Sequence, residues 1–338
     1  MKRLIVSFCL CACLLAFTAC DRSSTQPTVS IRSESATIHP SYSEDISSSL
    51  QAYCAPWTGD VSAAAITDGK LHYYFMSGKG MQMDYDEGDP YKWGDSTLIV
   101  FPDGQTMLID VGAEAYAPVL AANLKQMGVR RVDYLMVSHP HGDHFGGIIA
   151  ENSFLDMISV DTVLYNGVDR GEKSDLFYTR CADRSIPVRI VKQGDVLEFG
   201  DVCMEILWPL EGTAGEVITT TEEINNLSIV ARFDFGDHSS LFVGDLYASG
   251  EALVINACAG KLDVDLLKVP HHGYGTSSSG LFVYTVSPEL AVAMSGFKYA
   301  VQLAYETNGA IFLYDRYEGY IHVMTDGTTM TYDTERNR

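Results

Sequence analysis

Residues 138–144 have the residue types and the spacing that bind metal ions. The segment reads Ser-His-Pro-His-Gly-Asp-His and so contains three imidazoles and one carboxylate. Neutral imidazole nitrogens and carboxylate oxygens are good ligands for zinc and related divalent ions. If a strand leads into the segment, alternation points His139 and His141 the same way, and a turn at the glycine brings Asp143 and His144 to a second ion. This ordered run therefore predicts a metal site rather than a polar surface loop.

The elements around this segment indicate an α/β fold. Residues 132–138 are mostly apolar or β-branched and run directly into the histidines, so they are predicted to form a buried strand. A second half of the chain repeats this alternation of strands with a few helices, which favours sheets packed face to face with helices outside. Further strands are predicted at 71–75, 96–100, 106–110, 188–191, 202–207, 227–235, 240–243 and 266–269, and helices at 113–127 and 249–258.

The metal segment resembles a known signature. His-x-His-x-Asp-His followed by Gly146 and Gly147 is similar to the motif of the metallo-β-lactamase superfamily, and the resemblance extends over about residues 70–330. It implies a four-layer αββα sandwich. Family members place a metal-bridging aspartate after a later strand, and the run Leu-Phe-Val-Gly-Asp at 241–245 makes Asp245 its counterpart. They also supply a late histidine, which matches Val-Pro-His-His-Gly at 269–273.

The resemblance implies two divalent ions, with zinc expected and manganese as the alternative. The implied ligands are His139, His141, Asp143, His144, Asp245 and His272. His272 is preferred over its neighbour because it directly precedes a glycine, as the ligand does in several relatives. His271 would then face the substrate as an acid or a phosphate contact, and simple packing is the alternative. Asp110 resembles a structural aspartate of the family that orients the metal loop, and Lys268 either points to the site or is a solvated strand-end residue.

Other motifs narrow the resemblance. The segments 94–96, 108–112 and 226–230, together with the His-His-Gly step, look like the hydrolase domain of bacterial competence-channel proteins and like secreted phosphorylcholine esterases. One departure is that many relatives supply a third histidine to the first metal, whereas no histidine occurs between His144 and His238. His238 is interpreted as an exposed hairpin residue. Asp169 is a possible oxygen ligand, although a surface-loop role is preferred for it.

The predicted activity is hydrolysis by a metal-activated water. Two close divalent ions lower the pKa of a shared water, and Asp143 or Asp245 holds it and accepts its proton, with His271 as a further catalytic residue. We expect a phosphodiester or related ester in a small molecule or head group. Lactone or amide hydrolysis and a non-catalytic binding lipoprotein are the alternatives. The aromatic residues Tyr73, Tyr74, Tyr85, Tyr91 and Trp93 either line the pocket mouth or belong to the core.

The N-terminal residues predict export. Residues 1–20 have a short basic start, an apolar run from 4 to 17 and a small-residue end, which is typical of a secretory signal. Phe17-Thr18-Ala19-Cys20 resembles a lipobox, so Cys20 would carry the lipid that anchors a cell-surface or periplasmic lipoprotein, although Phe17 replaces the usual leucine. The Ser- and Thr-rich residues 21–60 are interpreted as a flexible tether, and 61–338 as the hydrolase domain.

Composition sets further limits. The 338 residues are 46% apolar, which is enough for a sizeable core, and the formal net charge of −21 disfavours long nucleic acid as a substrate. No Cys-x-x-Cys pair occurs among the cysteines outside the signal and lipobox, so a cysteine metal site is not expected. These four cysteines are Cys54, Cys181, Cys203 and Cys258. The sequence leaves disulfides and the oligomeric state open.

Overall fold

A computed structural model describes residues 68–78, 93–215, 217–296 and 298–337. The predicted signal at 1–20 and tether at 21–60 lie outside the described residues, and so do Tyr85, Tyr91 and Cys54. Every helix within the described ranges is too short or too polar to span a bilayer. The described cysteines Cys181, Cys203 and Cys258 are free thiols.

The first sheet has eight strands and combines two pairing modes. Its strands are β1 (Leu71–Phe75), β2 (Thr97–Val100), β3 (Thr106–Ile109), β4 (Arg131–Val137), β5 (Ser159–Tyr165), β6 (Val188–Ile190), β14 (Ile321–Thr325) and β15 (Met330–Thr334). They lie in the order β15-β14-β1-β2-β3-β4-β5-β6. Strands β15 to β3 pair antiparallel, and β3 to β6 pair parallel.

The second sheet has seven strands and the same division. Its strands are β7 (Val196–Phe199), β8 (Val202–Trp208), β9 (Val230–Phe235), β10 (His238–Phe242), β11 (Leu266–Lys268), β12 (Leu290–Ala293) and β13 (Ile311–Tyr314). They lie in the order β13-β12-β11-β10-β9-β8-β7. Strands β10 to β13 are parallel, and β7 to β10 are antiparallel.

Helices cover the outer face of each sheet. They are α1 (Ala117–Gln126), α2 (Gly142–Ile149), α3 (Glu172–Ala182), α4 (Thr221–Asn226), α5 (Ala248–Cys258), α6 (Gly280–Val286), α7 (Tyr299–Thr307) and α8 (Asp315–Glu318). The first helix begins four residues later than the sequence suggests. Residues 113–116 form a hydrogen-bonded turn, and Pro118, which has no N–H to leave unpaired, stands in the first helical turn.

Alternation along the strands produces three apolar layers and therefore four structural layers. Leu98 and Val100 of β2 pack outward against α1, whereas Ile99 between them packs inward against the second sheet. The Phe101 and Phe199 rings, one from each sheet region, stack with centroids 4.0 Å apart in the central layer. A third cluster joins the second sheet to α5, α6 and α7. The expected αββα sandwich is confirmed.

The strand directions concentrate loops at one edge of the sandwich. The carboxyl ends of β3 and β4 in the first sheet face the same edge as those of β10 and β11 in the second, because the loops that follow these four strands contact one another. Since β2 runs antiparallel to β3, the residues that precede β2 lie at this edge as well. Ligand sites in α/β sheets form outside the carboxyl ends of parallel strands, and the predicted site residues follow these strands.

Candidate metal site

The loop after β4 is held by Asp110, which directly follows β3. Asp110 Oδ1 accepts a hydrogen bond from the Ser138 backbone N–H at 2.7 Å, and its Oδ2 accepts one from the Ser138 hydroxyl at 2.7 Å. Ser138 Oγ lies 3.0 Å from His139 Nδ1. The Ser138 hydroxyl has one proton and donates it to Asp110, so its oxygen accepts a hydrogen bond from His139 Nδ1–H. The lone pair of His139 Nε2 is then available to a cation. His141 Nδ1 lies 3.1 Å from that His139 Nε2 atom.

His144 is oriented by the same aspartate. It lies in α2, fully buried, and its Nδ1 is 2.8 Å from Asp110 Oδ2. This contact leaves the opposite ring nitrogen, Nε2, 3.1 Å from Asp245 Oδ2. Asp110 thus fixes the tautomers of two histidines, which is the arrangement that the sequence predicts for a structural aspartate.

The second sheet contributes Asp245 and His272. Asp245 follows β10, and His272 lies in the short turn Pro270–Gly273 after β11. His272 Nε2 is 2.9 Å from Asp143 Oδ2 and 3.2 Å from Asp245 Oδ2. His271 and His272 both have left-handed backbone conformations, with φ of 46° and 55°, which non-glycine residues adopt at an energetic cost. Such strain is typical of backbone that is held in place for a functional purpose.

One carboxylate oxygen of Asp245 lies at the centre of the cluster. Asp245 Oδ2 is 3.1 Å from His144 Nε2, 3.2 Å from His272 Nε2 and 3.9 Å from His139 Nε2. Single donor atoms of Asp95, His144, Asp245 and His272 all lie within 4.8 Å of one another, and all four side chains are buried. Asp245 Oδ1 is buried and makes no hydrogen bond. This donor set fits a divalent metal ion.

The charges of the site also favour a cation. The site has several buried carboxylates, and the buried lysine beside them, Lys268, can balance the charge of only one. Burial opposes protonation of His144, but the carboxylates of Asp245 and Asp110 outweigh it and raise its pKa to about 10. Burial lowers the pKa of His141 to about 4, so this imidazole is neutral and suited to a metal. In physical terms, the carboxylates attract positive charge to the place where the histidine nitrogens converge.

His271 lies at the rim of the cluster. Its Nδ1 is 2.5 Å from Thr276 Oγ1, its Nε2 is 3.9 Å from Asp245 Oδ2, and its side chain is 13% exposed. The Tyr247 ring lies beside it, with centroids 4.8 Å apart. Unlike His272, this residue is partly exposed to solvent.

Three expectations about neighbouring polar residues are settled by the structure. Lys268 is buried and paired with Asp95, so the solvated alternative is wrong. His238 lies at the hairpin as expected, but it is the first residue of β10 rather than a turn residue, and it is not exposed, because its side chain is only 11% accessible and faces Asp265 at 3.5 Å. Asp169 accepts a hydrogen bond from the Gly171 N–H at 2.7 Å and stabilises its own loop, as the surface-loop interpretation predicts.

The pocket-mouth interpretation of the described aromatic residues is wrong. Tyr73 lies between the sheets, with its hydroxyl 2.8 Å from Ser240 Oγ. Tyr74 is buried on the outer face of the first sheet. Trp93 is fully buried and donates from its indole N–H to Asp315 at 3.3 Å. These three side chains are core residues, which is the alternative interpretation.

Two residues at the site were not identified as functional from the sequence. Asp95 Oδ1 lies 3.0 Å from His272 Nδ1, and it comes from the segment before β2, far from the histidine motif in the chain. Arg170 donates to the Pro140 carbonyl at 2.9 Å, which places its half-buried guanidinium beside the histidine loop. The Gly-Asp-Ser run at 94–96 was recognised as part of the family resemblance. Its position beside the histidine loop follows only from the pairing of β2 with β3.

Comparisons with known proteins agree with this geometry. A sequence profile of the metallo-beta-lactamase superfamily matches residues 94–150. Competence protein ComA of Neisseria gonorrhoeae is 31% identical over 206 residues, which cover 60% of this chain and 26% of ComA. ComE operon protein 3 of Bacillus subtilis strain 168 is 27% identical over 188 residues, which cover 55% of this chain and 22% of that protein.

A solved structure is also similar. The metallo-beta-lactamase fold protein YhfI from Bacillus subtilis has a TM-score of 0.46 and 13% identity, over 72% of this chain and 95% of YhfI. The chain spans about a quarter of the length of ComA and of ComE operon protein 3. The profile match covers Asp95 and the whole His-x-His-x-Asp-His run. Residues 94–150 therefore match the metallo-beta-lactamase superfamily, and the buried cluster of histidines and aspartates has the residue types that bind a divalent metal ion.

Proposed function

We propose that this chain is an extracytoplasmic hydrolase that cleaves a phosphodiester or a related ester with two divalent metal ions. The observation that carries the proposal is that Asp245 Oδ2 lies 3.9 Å from His139 Nε2, 3.1 Å from His144 Nε2 and 3.2 Å from His272 Nε2. A carboxylate in this position is suited to bridge two cations.

The donor atoms divide into two groups around that carboxylate. His139 Nε2 and His141 Nδ1, 3.1 Å apart, would hold the first ion, and Asp143, His144 and His272 would hold the second. Zinc is the expected metal and manganese the alternative. Bound divalent ions lower the pKa of a water molecule and stabilise charge that develops on the leaving oxygen.

Protein groups at the site would handle the protons. Asp143 and Asp245 are suited to orient the attacking water and to accept its proton. Among the described residues, Asp245 Oδ1 makes no hydrogen bond, although Lys268 Nζ lies 3.7 Å from it. His271 would donate a proton from Nε2 to the leaving oxygen, because Thr276 holds its other ring nitrogen. Its partial exposure is consistent with contact with the substrate.

Positive charge near the site supports an anionic ester as the substrate. Arg170 lies against the histidine loop with a half-buried guanidinium, whereas Lys268 is already paired with Asp95 and faces Asp245. The missing histidine between His144 and His238 argues against a β-lactamase-type amide hydrolase. A phosphodiester monoanion or an ester in an anionic head group fits these charges better than a neutral amide.

The place of action is part of the proposal. Residues 1–20 have the pattern of a secretory signal, and Cys20 follows a lipobox-like run, so we propose a lipid-anchored protein on the cell surface or in the periplasm. Labelling with a fatty-acid analogue would test the anchor. We expect the intact chain to incorporate the label, a Cys20→Ser variant to lose it, and a Cys258→Ser control to keep it.

The experiment that tests the activity is hydrolysis of bis-p-nitrophenyl phosphate by zinc- or manganese-loaded protein. We expect turnover that a chelator abolishes and that Asp245→Asn reduces at least 100-fold. A chromogenic cephalosporin should give no turnover. Metal-loaded protein that is inert toward phosphodiesters, lactones and thioesters would instead support a binding lipoprotein in which the metal has a structural role.

A further inference from the structure

A short segment before β2 connects the metal loops of the two sheets. The Asp95 backbone N–H donates to the Asp143 carbonyl at 3.1 Å, and the Gly94 N–H donates to Ser295 Oγ at 3.1 Å. Asp143 follows β4 of the first sheet, and Ser295 follows β12 of the second sheet. The segment is therefore fixed from both sides, and the Asp95 side chain projects from a defined position.

The Asp95 carboxylate contacts two residues that follow or end β11. Its Oδ1 lies 3.0 Å from His272 Nδ1, and its other oxygen forms an ion pair with Lys268 Nζ. Lys268 also donates to the Gly244 carbonyl at 3.3 Å and lies 3.7 Å from Asp245 Oδ1. Each of these side chains is buried. The ammonium group thus joins the carboxylate that orients His272 to the carboxylate at the centre of the cluster.

Burial makes the two charges depend on each other. A buried carboxylate is costly without partners, and the two oxygens of Asp95 face His272 Nδ1 and Lys268 Nζ. An ionised Asp95 accepts the Nδ1 proton of His272 and leaves the Nε2 lone pair directed at Asp143 and Asp245.

We propose that Asp95 and Lys268 are a pair of positioning residues that fix the ring and tautomer of His272 and the carboxylate of Asp245 for metal binding. In this arrangement Asp95 acts behind His272 rather than as a ligand, although one of its oxygens lies within 4.8 Å of donor atoms of His144, Asp245 and His272. The inference rests on the proposed function for its effect on hydrolysis, but its effect on metal affinity can be measured without any substrate.

The test is a titration of the full-length protein with cobalt(II) and zinc, followed by absorption spectroscopy and competition with a chromogenic chelator. Asp95→Ala should weaken metal binding about 10–100-fold, the effect expected when a carboxylate behind a histidine ligand is lost. Asp95→Asn, which keeps an acceptor for His272, should weaken it less. At saturating cobalt the ligand-field spectrum of both variants should match that of the wild type, because no ligand is lost.

Controls separate positioning from coordination and from misfolding. His272→Gln should change the saturated cobalt spectrum, since it removes a proposed ligand. Asp265→Asn, which disrupts the remote pair with His238, should leave metal affinity unchanged. Lys268→Met should weaken binding through the unpaired Asp95, and the Asp95→Asn/Lys268→Met double variant should have a higher melting temperature than Lys268→Met alone.

Two results would overturn the inference. One is unchanged metal affinity in Asp95→Ala that is shown to be folded by circular dichroism. The other is a saturated spectrum of Asp95→Ala altered in the same way as that of His272→Gln, which would make Asp95 a ligand. If the affinities behave as expected but no ester is cleaved, the proposed function fails and the positioning role stands.

Discussion

His272 Nε2 lies 2.9 Å from Asp143 Oδ2, although 129 positions separate the two residues. One belongs to the loop after β4 in the first sheet, and the other to the turn after β11 in the second. Packing of the sheets, rather than any local motif, creates this contact. A variant at either residue therefore affects a site that both halves of the sandwich build.

The adjacent histidines should have separable roles. His272→Gln should lower metal affinity and hydrolysis together, because its Nε2 lies among the donor atoms. His271→Gln should keep the metal content and reduce kcat about 100-fold, the range of a lost general acid. Metal analysis beside steady-state kinetics checks both. Equal metal loss in the two variants would contradict the assignment.

Asp110 should act through the histidines that it holds. Asp110→Ala removes the acceptor for Ser138 and for His144 Nδ1, so we expect zinc affinity to fall about 10–100-fold, with partial recovery of activity in excess zinc. Asp133→Ala is a matched control, because that carboxylate accepts similar bonds from Thr106 between β3 and β4, away from the site. Chelator competition measures the affinities. Equal effects of the two variants would refute a specific role.

Gly94 should tolerate no side chain. Its φ is +87°, and a Cβ atom there would lie 1.8 Å from the Asp143 carbonyl oxygen. Gly94→Ala should therefore lower the free energy of unfolding by about 2 kcal/mol or more and weaken metal binding. Gly275→Ala should cost less than about 0.5 kcal/mol, since a Cβ there meets nothing within 4 Å. Urea denaturation compares the two variants. Equal free energies of unfolding would show that the backbone at Gly94 does not approach the Asp143 carbonyl closely in solution.

Asp315 should make stability depend on pH. Burial raises the pKa of this carboxyl from its ordinary value to about 7, although it accepts hydrogen bonds from the Ser295 N–H and the Trp93 indole. A raised carboxyl pKa stabilises the fold at low pH, and this contribution is lost as pH rises through about 7. Ionisation of Asp315 should thus lower the free energy of unfolding of the wild type by roughly 1–2 kcal/mol between pH 5.5 and 8.

The measurement is the free energy of unfolding at both pH values for the wild type and Asp315→Asn. The variant cannot ionise at this position, so its stability relative to the wild type should rise as pH increases. The difference between the two proteins cancels the contributions of titrating groups that do not interact with Asp315. A constant difference across this pH range would show that Asp315 does not titrate there.

The sequence predicted the strands better than the surroundings of the site. Residues 71–75 were expected as a strand and form β1, because β-branched and aromatic runs between turns are local signals. The histidine motif located half of the cluster for the same reason. Its contact with Asp245 and His272 was expected only through the family resemblance, since long-range sheet packing has no local signature.

The polar network behind the ligands could not be read from the sequence. Asp95 and Lys268 lie far apart in the chain, and their pairing follows from the packing of β2 and β11 at one edge of the sandwich. Similarly, the sequence leaves Tyr73 and Trp93 open between the pocket mouth and the core, and the structure buries both. Burial of a side chain depends on the whole fold, so the local sequence could not choose between the two.

The most direct test of the account is anomalous diffraction at the zinc edge from crystals grown with zinc. The account predicts two peaks within coordination distance of Asp245, one beside His139 and His141 and the other beside Asp143, His144 and His272. Zinc bound only at surface residues, or no zinc in this cluster at a saturating zinc concentration, would contradict the two-metal site.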